Sequence, residues 1–160
     1  MKSKLSIIKI IKLYRAIESI RAREDLNKKL SYALIKTKSK IQPEFDAVAE
    51  MEKLSQEMNE FEQERVKIAR RFAKRNENGD IDADGSIIHL DNPQAYDETV
   101  NALRDKYKKA IEIHEKSQKE VLEHIKTEEE VEIYQVPFEI FPEVISPEIL
   151  EALEPIIENK

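Results

Sequence analysis

The sequence predicts a mostly α protein: a long, coiled-coil-like antiparallel helical hairpin with a small β-hairpin at its tip and a C-terminal strand plus short helix. Three observations predict it. Two Gly and six Pro in 160 residues, with 40% hydrophobic and 38% charged content, leave few turns for a sandwich or barrel and match long amphipathic helices. Two apolar stripes at heptad spacing, Met51-Leu54-Met58-Phe61-Arg65-Ile68-Phe72 and Tyr96-Val100-Leu103-Tyr107-Ala110-His114-Ser117-Val121, flank a turn-rich segment. Charge is also divided by position. Residues 1–40 hold 12 basic and three acidic side chains, a net of +9, and the totals of 27 and 33 leave 15 basic and 30 acidic for the rest, a net of −15. The two ends therefore attract each other or attract different partners.

The length suits one domain over 1–160, organised as an N-terminal amphipathic helix (1–25), the helical hairpin (26–127, tip at 76–92) and a strand-strap-helix segment (128–160). Ile7, Ile10, Ile11, Leu13, Tyr14, Ile17 and Ile20 recur at helical spacing with Lys9, Lys12, Arg15 and Ser19 opposite, which predicts a first helix from Lys4 to Arg23. A second helix from Leu26 carries Leu30, Leu34, Thr37, Ile41, Phe45 and Val48 in one phase, with a kink or short break expected at Pro43. The heptad stripe from Met51 then ends in the basic turn Arg70, Arg71, Lys74 and Arg75, with Asn78-Gly79 as the stop. Asp91 or Asn92 is placed to cap the next helix, with Pro93 at its first position. Antiparallel closure of the two stripes brings Phe61 to Tyr107 and Met58 to Ala110 or Ile111.

At the tip, Asp80 to Asp82 and Ser86 to Leu90 read as short strands turning at Asp84-Gly85. Beyond Thr127, Val131 to Val136 is a strand candidate ended by Pro137, and Phe138 to Ile145 an irregular apolar strap. Ser146-Pro147-Glu148 opens a last short helix. A long helix separates the tip from Val131 to Val136, so that strand needs a partner near the N-terminal segment or on another chain.

Chemistry is sparse. No Cys is present, which excludes disulfides, thiol nucleophiles and thiolate metal sites, and two Gly cannot build phosphate-cradling or dinucleotide loops. Asp80, Asp82, Asp84 and Ser86 with Gly85 match the first half of a calcium loop, but Asp91 stands where a longer bidentate Glu is usual; a plain Asp-Gly hairpin is the competing reading. His114 and His124 lack a Glu three residues earlier, so the di-iron bundle pattern is missing. No catalytic constellation, cofactor or resident metal is expected. Lys9 and Lys12 interrupt the apolar run Leu5 to Leu13, and no stretch approaches the roughly 18 apolar residues of a membrane span. The expected protein is soluble and intracellular where it is made.

The stretch Lys29-Leu30-Ser31-Tyr32-Ala33-Leu34-Ile35-Lys36 leading to Ile41-Gln42-Pro43-Glu44, with Glu130-Val131-Glu132-Ile133-Tyr134 and the closing Leu153 to Glu158, resembles an uncharacterised family of small tailed-phage and prophage proteins. The chain departs from that pattern in having Ser31 where Pro is usual, and a longer helical middle. The resemblance implies a phage gene, no catalytic residues, and a virion, assembly or host-takeover role in the host cytoplasm or virion.

The expected function is a non-enzymatic protein–protein interaction protein, a virion or assembly component that forms homo-oligomers or docks a phage or host protein. Its expected surface joins Lys9, Lys12 and Arg15 to Val131, Ile133, Tyr134 and Val136. The alternatives are an anti-defence or host-modulating inhibitor acting through acidic surface, and a nucleic-acid-binding accessory protein using the basic N-terminal third.

Overall fold

The computed structural model describes residues 1–158; the last two positions of the predicted segment 128–160 lie outside the described residues. The chain is mostly helical with two small antiparallel sheets. It divides into two compact units: Met1–Glu52 with the chain from Lys119 onward, and Lys53–Gln118.

In the first unit, β1 (Lys2–Ser6) leads directly into α1 (Ile7–Ile20), and α2 (Lys28–Met51) follows. The start of the predicted first helix is thus a strand. Lys2 to Ser6 pair antiparallel with β4 (Glu128–Glu132), Lys2 opposite Glu132 and Ser6 opposite Glu128. The acidic residues Glu128 to Glu130 are themselves part of β4, where Lys2 and Lys4 across the ribbon pair with Glu130 and Glu128. β4 therefore replaces the predicted strand at Val131 to Val136, of which only Val131 and Glu132 belong to it. The partner near the N-terminal segment is the one adopted. Val136 instead makes a parallel bridge to Ile157.

The core of this unit is built from the stripe that the spacing predicts: Ile7, Ile10, Leu13, Ile17 and Ile20 of α1 against Leu30, Leu34, Ile41 and Val48 of α2. Val131, Ile133, Leu153 and Ile156 close it from the C-terminal side. Asn27 caps α2 by accepting the Lys29 N–H. α2 runs unbroken through Pro43 to Met51. Pro43 and Ser39 are both exposed, so the Ser39 carbonyl left without its donor faces water, and no break is needed. After a turn at Phe138–Ile140, Ser146 accepts the Ile149 N–H and starts α6 (Pro147–Ala152).

In the second unit, α3 (Gln56–Arg71) begins anew after a non-helical stretch, because the Ser55 side chain accepts the Met58 N–H. The first arm of the predicted hairpin is therefore interrupted at 52–55. The second is divided at Tyr107 into α4 (Pro93–Lys106) and α5 (Lys108–His124). Asn92 is the capping residue of α4, accepting the Ala95 N–H. Met58, Phe61, Leu103 and Ala110 form a small core, and the Phe61 and Tyr107 rings meet edge-on at 5.9 Å, the pairing that the stripe register predicts. At the tip the strands are β2 (Ala83–Asp84) and β3 (Ile87–Ile88), shorter than predicted and joined by Gly85-Ser86. Gly85 has φ +60° and Ser86 does not share a positive φ, the pattern of a type II′ turn. Residues on either side pair elsewhere: Arg75 bridges Ile81, and Ala73 bridges Leu90. Lys74 and Arg75, expected in the last helical turn, belong to this small ribbon, since α3 ends at Arg71.

Among the described residues Thr37 is the one polar residue that is buried; it is 0% exposed, and its Oγ1 accepts the Tyr134 N–H at 3.0 Å. Thr37→Val, which keeps the shape but removes the acceptor, is expected to cost about 1–3 kcal/mol in chemical denaturation and to speed amide exchange at Tyr134. Thr37→Ser should leave that amide protected.

Candidate functional site

The alternation of β1 and β4 sorts the ribbon into two faces. The residues of the bonded pairs, Ser3 opposite Val131 and Met1 opposite Ile133, share one face, and there Val131 and Ile133 are buried. Lys2, Lys4, Glu128, Glu130 and Glu132 share the other. On it Lys2 pairs with Glu130 at 2.6 Å and Lys4 with Glu128 at 3.6 Å, both diagonal neighbours, while Lys40 of α2 reaches Glu132 at 2.8 Å. The hydrogen bond and charge of Lys2 hold the Glu130 carboxyl below its ordinary range; Lys40 does the same for Glu132. Lys2 and Lys40 are raised in return. Part of the positional charge division is thus satisfied within the chain.

The other side of α1 is different. Lys9, Lys12 and Arg15, all exposed, stand one helical step of three residues apart along one wall of an open cleft of about 730 Å³. Glu148, Glu151 and Glu154, with the same three-residue spacing on α6 and the turn after it, line the opposite wall. The lining also includes the apolar Leu5, Ala16, Ile149 and Ala152 and the polar Ser3, Ser19 and Gln135. Among the described residues no ion pair crosses this cleft, and none of its six charged wall residues has an ionic partner elsewhere.

Of the predicted surface, then, Lys9, Lys12 and Arg15 are accessible and grouped. Val131, Ile133 and Val136 are core residues, 7%, 0% and 8% exposed, and do not form surface. The pairing with the N-terminal strand turns Val131 and Ile133 inward and the parallel bridge to Ile157 holds Val136, so that all three join the core built on α1 and α2. Tyr134 is half-buried, edge-on to Tyr32 at 6.3 Å. The acidic wall was missed by sequence reasoning. Its signal was the i, i+3, i+6 recurrence of Glu148, Glu151 and Glu154, which repeats that of Lys9, Lys12 and Arg15.

Asp80, Asp82, Asp84, Ser86 and Asp91 sit on the tip ribbon. The Asp82 N–H donates to the Lys74 carbonyl and its own carbonyl accepts from His89, while Asp84 Oδ2 lies 3.2 Å from His89 Nε2. Among the described residues no group of three or more His, Asp or Glu side chains is gathered in a way that could hold a metal ion. No helix is long and apolar enough to cross a membrane among the described residues.

Because the folded pKa of Glu130 and Glu132 is depressed, their contribution is present above the ordinary Glu value of about 4.3 and is lost as pH falls through the folded value. The thermal midpoint should therefore hold steady from neutral pH to about pH 5 and decline below about pH 4. Glu130→Gln with Glu132→Gln should lower the neutral-pH midpoint and make the acid decline shallower than that of the parent chain.

Comparison with protein-family models, with curated proteins and with solved structures finds no match to this chain.

Proposed function

We propose that this chain is a non-enzymatic protein–protein interaction protein of tailed-phage origin, a virion or assembly component present in the host cytoplasm or the virion, which docks a partner through the cleft between α1 and α6. The observation that carries the reading is the contrast between two sets of N-terminal cations. Lys2, Lys4 and Lys40 are matched by carboxylates of their own chain, whereas Lys9, Lys12 and Arg15 line an open cleft without ionic partners among the described residues. Charged rows in a cleft that also has apolar lining suit a protein surface, where complementary charge sets orientation and encounter rate. The phage origin rests on the resemblance of the Lys29–Glu44 and Glu130–Tyr134 stretches. In the same reading the second unit is a coiled-coil-like antiparallel hairpin arm, which the Phe61–Tyr107 contact and the Met58, Leu103 and Ala110 cluster support.

Two alternatives are weakened by particular contacts. An inhibitor acting through Glu128, Glu129, Glu130 and Glu132 needs free carboxylates, and three of these four are engaged, by Lys4, Lys2 and Lys40. A phosphate backbone lying along Lys9, Lys12 and Arg15 meets the carboxylates of Glu148, Glu151 and Glu154 across the cleft.

Amine-reactive cross-linking of the tagged chain in phage-infected cells tests the reading. Links from Lys9 or Lys12 to a second polypeptide are expected, and they should be lost on Glu148→Lys with Glu151→Lys. If Lys28 and Lys29 react with the reagent but Lys9 and Lys12 form no intermolecular link, the docking reading falls.

A further inference from the structure

The two walls of the α1–α6 cleft are matched to each other in three respects. Each carries three like charges: Lys9, Lys12 and Arg15 on one side, Glu148, Glu151 and Glu154 on the other. Each row advances by three residues, close to one helical turn per step, so the charges of both rows recur every 4.5–6 Å or so. Both rows line one cleft whose apolar residues include Leu5, Ala16, Ile149 and Ala152. Yet no ion pair crosses the cleft among the described residues. The rows are complementary and are carried on one core, in which Ile10, Leu13 and Ile17 of α1 and Leu153 and Ile156 just after α6 are buried.

A surface with a basic row and an acidic row side by side is complementary to itself. A two-fold axis between the rows carries the basic row of each copy onto the acidic row of the other, so that both contacts are attractive. Any other occupant has to present an acidic flank to α1 and a basic flank to α6 at the same pitch; a second copy does so by construction. A uniformly acidic partner is repelled by one wall and a uniformly basic one by the other.

We propose that the α1–α6 cleft is the isologous interface of a homodimer, in which Lys9, Lys12 and Arg15 of each copy face Glu148, Glu151 and Glu154 of the second copy over an apolar seam that includes Leu5 and Ile149. This rests on the docking reading above and names the partner for it. Charge pairs at such a rim direct orientation and register, and the apolar residues supply the area removed from water.

Sedimentation equilibrium of the full chain, at protein concentrations up to tens of micromolar and over a series of salt concentrations, is the experiment. The parent chain should dimerise, more weakly as salt rises, since rim charges are screened. Lys9→Glu with Lys12→Glu and Arg15→Glu makes both rows acidic; Glu148→Lys with Glu151→Lys and Glu154→Lys makes both basic. Each variant alone should lose self-association by at least about tenfold, and an equimolar mixture of the two should recover a dimer, because every contact is again between opposite charges. Glutamine versions of the same rows, which remove charge without repulsion, should weaken the dimer without restoring it on mixing, and they guard against a reversed variant that fails to fold.

A parent chain that stays monomeric at low salt overturns the proposal, as does a dimer indifferent to both reversals. A monomer whose Lys9 and Lys12 still cross-link to a different polypeptide in cells removes the second copy as occupant and leaves the docking reading standing. A monomer with no such links removes both.

Discussion

The first unit depends on the antiparallel pairing of β1 with β4. Met1 and Ile133 exchange two backbone hydrogen bonds, each of 2.7 Å, across a sequence separation of 132. Closing so long a loop costs entropy, although that cost grows only slowly with length. What offsets it is not the ribbon alone, since two strands are marginal in water, but the apolar face beneath it. Val131 and Ile133 join the cluster that contains Ile7, Ile10 and Leu34. The same pairing also begins α1. Ser6 makes no side-chain cap; instead the Ile7 and Ile8 N–H groups donate to the Thr127 and Ile125 carbonyls, both at 2.9 Å. The donors that a helix start leaves unsatisfied are thus met by the segment leading into β4, and strand and helix form together.

Charge acts on this arrangement as a selector of register. On a two-stranded ribbon, a slip of one residue exchanges its faces. Here such a slip turns Val131 and Ile133 to water and buries Glu130 and Glu132 beside the core. The pairs Lys2–Glu130 and Lys40–Glu132 lie in solvent and are individually weak, and their value lies in opposing that slip. Within the unit a second ionic knot ties α1 to α2: the Lys38 ammonium lies 2.7 Å from the enclosed Oε1 of Glu18 and over the Tyr14 ring at 5.3 Å, and Tyr14 stacks on Phe45 at 4.0 Å.

Much of this was legible in the sequence wherever one period dominates. The 3.6-residue recurrence in α1 and α2 marks the residues that are buried, and the opposite face of α1 carries Lys9, Lys12 and Arg15 as expected. What escaped were features set by partners distant in sequence. Lys2 to Ser6 has no strong strand propensity, so only its pairing with Glu128 to Glu132 makes it a strand. The interruption between α2 and α3 was hidden because the heptad stripe keeps its phase across it while Ser55 caps locally. Val131, Ile133 and Val136 looked like an available edge because β-branched residues suit both an exposed edge and a buried face. The unseen β1 decided between them. Pro43 failed to break α2 because its effect falls on the solvent side.

These constraints bear on why the cleft rows are usable at all. α1 is immobilised at its start by Thr127 and Ile125, along its apolar face by the core, and beside α2 by Glu18 and Tyr14. Arg23, just past its end, donates to the Val144 carbonyl at 2.7 Å and ties the strap that leads into α6. Lys9, Lys12 and Arg15 therefore project from a backbone whose position is already determined, and the backbone ordering cost of presenting them is met by folding rather than by association. The same holds for Glu148, Glu151 and Glu154, since Leu153 and Ile156 on the same short segment are 0% exposed. A flexible tail carrying the same charges could collapse onto itself and pair them. Two rows fixed on a common core form no pair with each other among the described residues, and so their complementarity remains directed outward.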